Sequence, residues 1–162
     1  MNTYMKKYYM VLVLLCLIEF CAGQAYWIYL EAEKYFHGSD GYEQSYDRAF
    51  ELYGKAADLG NVASLRQQGI CYYNGYGVEI SKRKSFVDIK KAADYGDTLS
   101  MVMLISYYLD GEGCRKSMKK SFKYAYRAAD QGNERAIQFL QQFSCYIPIK
   151  FLWEEETLDS PK

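Results

Sequence analysis

Apolar residues in this chain recur at helical rather than strand spacing. Phe50, Tyr53 and Ala57 stand at i, i+3 and i+7, and Phe86, Ile89 and Ala93 repeat the stripe. Glycine followed by asparagine or aspartate punctuates the stripes: Gly60-Asn61, Gly96-Asp97 and Gly132-Asn133. Glycine accepts the left-handed backbone that ends a helix, and Asn or Asp caps the next one. The pattern predicts helices at 26–36, 46–58, 62–73, 82–94, 98–109, 118–130 and 134–145. Upstream, Met10 to Ile18 is an unbroken apolar run with no polar face.

The punctuation has a period of 36. Ala56-Ala57-Asp58, Ala92-Ala93-Asp94 and Ala128-Ala129-Asp130 share one register, as do Phe50, Phe86 and Phe122, and Ser45, Ser81 and Ser117. Gly75-Tyr76-Gly77 and Gly111-Glu112-Gly113 keep the same step. The unit is a helix A, a glycine turn, a helix B capped by serine, and a closing glycine. One such pair cannot bury its apolar face alone, and stacking makes a continuous core. The predicted architecture is all-α: a helix-turn-helix repeat solenoid of about seven helices.

The apolar run belongs to another function. Lys6 and Lys7 precede it and Glu-Phe-Cys-Ala-Gly follows, so residues 1–23 read as a secretory signal peptide cleaved after Gly23 or Ala25. Nine apolar residues do not span a bilayer, which needs about 20. The expected organisation is a leader at 1–23, a repeat domain at 24–146 and a tail at 147–162 in which Phe151, Leu152 and Trp153 cover the open end. The expected location is periplasmic or secreted, with no stable membrane span once the leader is removed.

Composition narrows the function classes. Twenty basic and 20 acidic residues cancel, and loss of the leader leaves a formal charge of −1, which argues against a nucleic-acid partner. A single histidine, His37, sits at a turn position and excludes His-rich metal sites; no Cys-x-x-Cys is present, and no metal or cofactor is expected. Arg115, Lys116, Lys119, Lys120, Lys123 and Arg127, with Lys82, Arg83, Lys84, Lys90 and Lys91 one unit earlier, read as a solvated outer face.

Asn74-Gly75-Tyr76-Gly77-Val78 with Lys91-Ala92-Ala93 and Gly96, and Asp110-Gly111-Glu112-Gly113 with Arg127-Ala128-Ala129 and Gly132, resemble the Sel-1-like repeat, a relative of the tetratricopeptide repeat. The likeness covers about residues 28–143. Departures are Gln68 in a leucine slot, Ile105 in a glycine slot, and a first turn with one extra residue before Gly41. The resemblance implies a non-enzymatic, protein-binding scaffold with a concave surface lined by A helices. Secreted bacterial members include periplasmic adaptors, host-factor binders and immunity proteins against toxins. A cysteine-rich branch, with paired cysteines in each repeat, has been linked to penicillin binding.

That branch directs attention to Ser81-x-x-Lys84 and Ser117-x-x-Lys120, the spacing by which penicillin-recognising hydrolases let a lysine activate a serine. No Lys-Thr-Gly or Ser-Asp-Asn string accompanies them, and the period itself explains both copies as caps. The stronger expectation is a protein partner, such as a secreted toxin or effector. The candidate strip is Arg66, Ile70 and Tyr73 at i, i+4 and i+7 on one A helix, with Val102 and Gln138 at the Arg66 position of later units, and Tyr76, which like Tyr73 lies off the packed face by register. Of the three cysteines after the leader, Cys114 and Cys145 are the expected disulfide, because the C-terminal ends of adjacent A helices are neighbours; Cys71 reads as buried.

Overall fold

The computed structural model describes residues 3–143, which form α1 (Thr3–His37), α2 (Tyr46–Asp58), α3 (Val62–Asn74), α4 (Lys82–Asp94), α5 (Thr98–Asp110), α6 (Met118–Asp130) and α7 (Glu134–Phe143). The described chain is all-helical, and α2 to α6 match the sequence expectation to within one residue. The first helix differs. The apolar run and the first A helix are one continuous helix, because no proline interrupts them and Gly23 is tolerated within it. The tail from 147, and Cys145 with it, lies outside the described residues. Among the described residues no helix is long and apolar enough to cross a membrane.

Caps fix the helix ends. The Oγ of Ser45, Ser81 and Ser117 accepts the backbone N–H of Arg48, Lys84 and Lys120 at 3.4, 3.4 and 3.3 Å. Asn61 and Asp97 cap the A helices by accepting from Ser64 and Ser100, each at 2.8 Å. Each B helix closes with a paired return: Gly60 N–H donates to Ala57 and Asn61 N–H to Ala56, both at 2.9 Å, and Gly96 and Asp97 repeat it. The extra residue of the first turn is absorbed by Asp40, the one non-glycine residue with a positive φ (54°) among those described.

Packing is closest within each A–B pair: α1 with α2, α3 with α4, α5 with α6. At the centre of each pair one position on A faces one on B. In the second pair these are Gly69 and Ile89; a Cβ on Gly69 would stand 2.8 Å from the Ile89 side chain. One period on, they are Ile105 and Ala125, and in the first pair Ala32 and Tyr53, all buried. Wherever one partner is large the other is small, so Ile105 in the glycine slot is matched by alanine opposite.

The seam between pairs uses a different device. A Cβ on Gly77 would overlap the Tyr46 carbonyl at the start of α2, and one on Gly113 the Lys82 carbonyl at the start of α4. Each turn therefore sits directly on the backbone of the preceding B helix. Gly41, the counterpart in the first turn, meets nothing.

Candidate functional site

The A helices carry their outward residues in rows. Because of the extra residue, α1 is offset from α3 by 37 and later helices by 36. One row is Tyr29, Arg66, Val102 and Gln138; the row beside it is Tyr26, Ala63, Leu99 and Arg135. Arg66, Ile70 and Val102 are half-buried and Gln138 is exposed. Arg66 is not free: its Nη1 lies 2.5 Å from Asp97 Oδ1, with 15% and 16% of the two side chains exposed. The carboxylate that caps α5 through one oxygen holds Arg66 through the other.

Tyr73 and Tyr76 correct the sequence expectation. Neither is off the packed face. Tyr73 stacks on Tyr107 with ring centres 5.6 Å apart, and the Lys82 ammonium lies over its ring and pairs with Glu112 at 3.2 Å. Tyr76 stacks on Tyr46 at 4.8 Å and meets Phe36 edge-on at 5.4 Å. Both rings reach across into a neighbouring unit, which the register of a single helix does not reveal. The row instead includes a residue that sequence reasoning passed over: Leu99, 54% exposed, flanked on α5 by half-buried Val102 and Met103.

Each Ser-x-x-Lys string is a cap followed by a cation on a ring. Lys84 Nζ lies 5.2 Å from the centre of the Tyr72 ring and Lys120 Nζ 5.8 Å from that of Tyr108; Arg48 does the same on Tyr35 after Ser45. No lysine ammonium of these strings is paired with its serine. Other members of the basic set are spent similarly: Lys90 pairs with Asp94 at 2.7 Å, and Arg127 donates to the Ala93 carbonyl at 3.2 Å.

Polar groups of the first pair and of α3 converge on Glu33. Its Oε1 accepts from Tyr53 Oη at 2.6 Å and from Gln67 Nε2 at 2.9 Å, and His37 Nε2 faces its Oε2 at 3.6 Å. His37 thus ends α1 with a carboxylate partner rather than standing alone in a turn. Burial, helped by Glu33, pushes the Cys71 thiol up to about 12. Burial likewise lifts Tyr107 to about 12, against the Ser85 hydrogen bond, and Tyr108 to about 12. Cys114 is half-buried with its thiol donating to the Tyr107 carbonyl at 3.4 Å; its expected partner Cys145 lies outside the described residues. Among the described residues no group of three His, Cys, Asp or Glu side chains gathers as a metal site.

Capped A and B helices, glycine turns and a 36-residue stacking step define a helix-turn-helix repeat protein of tetratricopeptide-like kind. The model of the Sel1 repeat matches three copies, at residues 32–61, 65–97 and 100–133, and the chain belongs to that family. Among solved structures it is similar to a Sel1 repeat protein from Oxalobacter formigenes, at 30% identity and a TM-score of 0.68 over 79% of this chain and 97% of that one. It is also similar to a protective antigen present in uropathogenic Escherichia coli strains that displays an SLR fold, at 26% identity and a TM-score of 0.71. That match covers 75% of this chain but spans only 26% of the antigen. The cysteine rich protein B of Helicobacter pylori shares the fold at 23% identity and a TM-score of 0.59, over 74% of this chain and 94% of that one. Comparison with curated protein sequences gave no match.

Proposed function

We propose that the chain is a secreted or periplasmic scaffold that binds another protein on the face formed by its A helices, as an immunity or adaptor protein does. The observation that carries this reading is Leu99, an apolar side chain more than half exposed, with Val102 and Met103 beside it on α5. A cluster of apolar side chains on a face rimmed by polar ones, here Gln138 and Arg135, is the surface a protein partner covers. The leader-like segment with Lys6, Lys7 and the apolar run supports export, and the likeness to a bacterial protective antigen agrees with it.

The test is capture of a partner from a periplasmic extract by the purified chain, repeated with Leu99→Glu and with Arg83→Glu on an exposed position of α4. Loss of the captured protein with Leu99→Glu and retention with Arg83→Glu is expected. Equal capture by both variants overturns the assignment of the face. Amino-terminal sequencing of the exported protein checks the location, with Gln24 or Tyr26 expected first.

A further inference from the structure

An open cleft of about 470 Å³ lies between the first and second units, away from the A-helix face. Its walls are the end of α2 (Ala57, Asp58) and the side and end of α4 (Asp88, Lys91, Asp94, with Tyr95 just beyond), and its floor is α3 (Leu65, Gln68). The same groove one period on is bounded by Ala93, Asp94, Met101, Leu104, Tyr124 and Arg127, and there it is filled. Leu104 and Tyr124 are buried, and Tyr124 lies flat on Tyr108 with ring centres 5.8 Å apart and planes 12° from parallel. The Tyr124 hydroxyl donates to Asp94 at 3.4 Å. The Arg127 guanidinium donates to the Ala93 carbonyl at 3.2 Å and faces Asp94 at 3.9 Å.

In the open groove Gln68 stands for Leu104, Asp88 for Tyr124 and Lys91 for Arg127; the ring that plugs the later junction is missing from the earlier one, and Lys91 is exposed and makes no ion pair among the described residues. What that ring would meet is in place. Tyr72, one helical turn beyond Gln68 and counterpart of Tyr108, meets Phe50 edge-on and carries the Lys84 ammonium, with no ring stacked flat on it among the described residues. Asp58, counterpart of Asp94, is exposed and makes no ion pair there, and the Ala57 carbonyl takes no side-chain donor. Asp88 is half-buried without a hydrogen-bond donor. Burial raises its carboxyl above the ordinary range, and Lys91 and Lys84 only partly offset that. Among the lining residues the carboxyl groups of Asp58, Asp88 and Asp94 face the single ammonium of Lys91, and of the three only Asp94 has ion pairs among the described residues, with Lys90 and Arg127.

We propose that this cleft is a second binding site, for a partner polypeptide presenting a tyrosine with an arginine three residues on. The guest ring takes the Tyr124 place against Tyr72. The guest guanidinium sits on the Ala57 carbonyl and the carboxylates of Asp58 and Asp88, as Arg127 sits on Ala93 and Asp94. The site is independent of the A-helix face and goes beyond the reading above, since the chain's own third unit shows the occupant chemistry.

The test uses the isotopically labelled full chain and the tetrapeptide acetyl-Tyr-Ala-Tyr-Arg-amide, the sequence of residues 124–127, followed by amide chemical shifts. Shifts confined to the neighbourhood of Ala57, Asp58, Gln68 and Asp88 are expected. The counterpart peptide ending in glutamate should bind at least about tenfold more weakly, one charge-assisted contact being worth about that factor. Asp88→Tyr, which plugs the cleft from within, should abolish the shifts while leaving the helical spectrum intact. Asp58→Asn, at an exposed position, should weaken binding about tenfold. Absence of shifts at saturating peptide, equal binding of the glutamate peptide, or undiminished binding by Asp88→Tyr overturns the proposal. Shifts that fall instead around Leu99 and Val102 also overturn it, while leaving the A-helix reading standing.

Discussion

Exchanging the central residues of the second A–B pair for those of the third is the sharpest test of how this fold is specified. In Gly69→Ile a Cβ alone lands 2.8 Å from Cγ1 and Cδ1 of Ile89 and 3.3 Å from the Ser85 carbonyl. Ordinary contact begins near 3.4–4 Å, and three further carbons must follow into a filled space. Overpacking of this kind costs about 3 kcal/mol, reduced by about 0.5 kcal/mol because glycine is the poorer helix former. Ile89→Ala removes a fully buried side chain and leaves a cavity, again about 3 kcal/mol. If the sites were independent, the double variant would lose about 5.5 kcal/mol. Combined, however, they reproduce the Ile105–Ala125 pair, in which the large residue comes from A and the small from B. The double variant should therefore lose only about 2 kcal/mol, a coupling of about 3.5 kcal/mol. Urea unfolding followed by far-ultraviolet circular dichroism on all four proteins measures it. Additivity of the two losses to within about 0.5 kcal/mol would refute the reciprocal fit.

Three further outcomes follow from the geometry. Gly113→Ala should destabilise the chain by about 3 kcal/mol or more and Gly41→Ala by only about 1–2 kcal/mol, since both force alanine into a left-handed backbone but only the former meets a carbonyl; equal shifts in urea midpoint would count against the seam as described. Asp97→Ala should cost about 1–2 kcal/mol more than Asn61→Ala in the same melts, because both lose a cap while only Asp97 leaves Arg66 without its carboxylate. Stability should fall as pH rises from about 9 toward 12. Cys71, Tyr107 and Tyr108 hold their protons to about 12 in the fold, so above their unfolded values the unfolded chain binds fewer protons and is favoured; a flat alkaline profile, or thiol labelling of native Cys71 at pH 8 as fast as in urea, would contradict their burial.

Helix positions were legible because their signals are local: Ser81 caps its own helix, and Gly96 ends one where Asp97 starts the next. The reading failed where a residue's partner lies in another unit. Asp97 reads as a cap, yet half of its work is to hold Arg66, 31 residues earlier. Tyr73 and Tyr76 look spare on their own helix and turn, but their rings belong to contacts with Tyr107 and Tyr46. Leu99 was hidden for the opposite reason. Leucine on a helix suggests the core, and only the row it shares with Ala63 and Arg135 places it outward. The departures at Gln68 and Ile105 were visible in the sequence; their meaning was not, since it depends on Asp88 and Ala125 across the pair.

The reciprocal fit also bears on how such a gene can lengthen or shorten. Size matching is private to each A–B pair, whereas the seam, beside pairings such as Arg66 with Asp97 and Tyr73 with Tyr107, sets a glycine on carbonyl atoms that every sequence supplies. An unequal crossover at a seam therefore gains or loses 36 residues and leaves every surviving pair matched. A crossover inside a turn joins α3 to α6 or α5 to α4. The first sets Gly69 against Ala125 and leaves a hole; the second sets Ile105 against Ile89 and leaves no room. The size matching inside the pairs thus survives a shuffle of whole units and not of halves, while pairings across units, such as Arg66 with Asp97, are re-drawn by either.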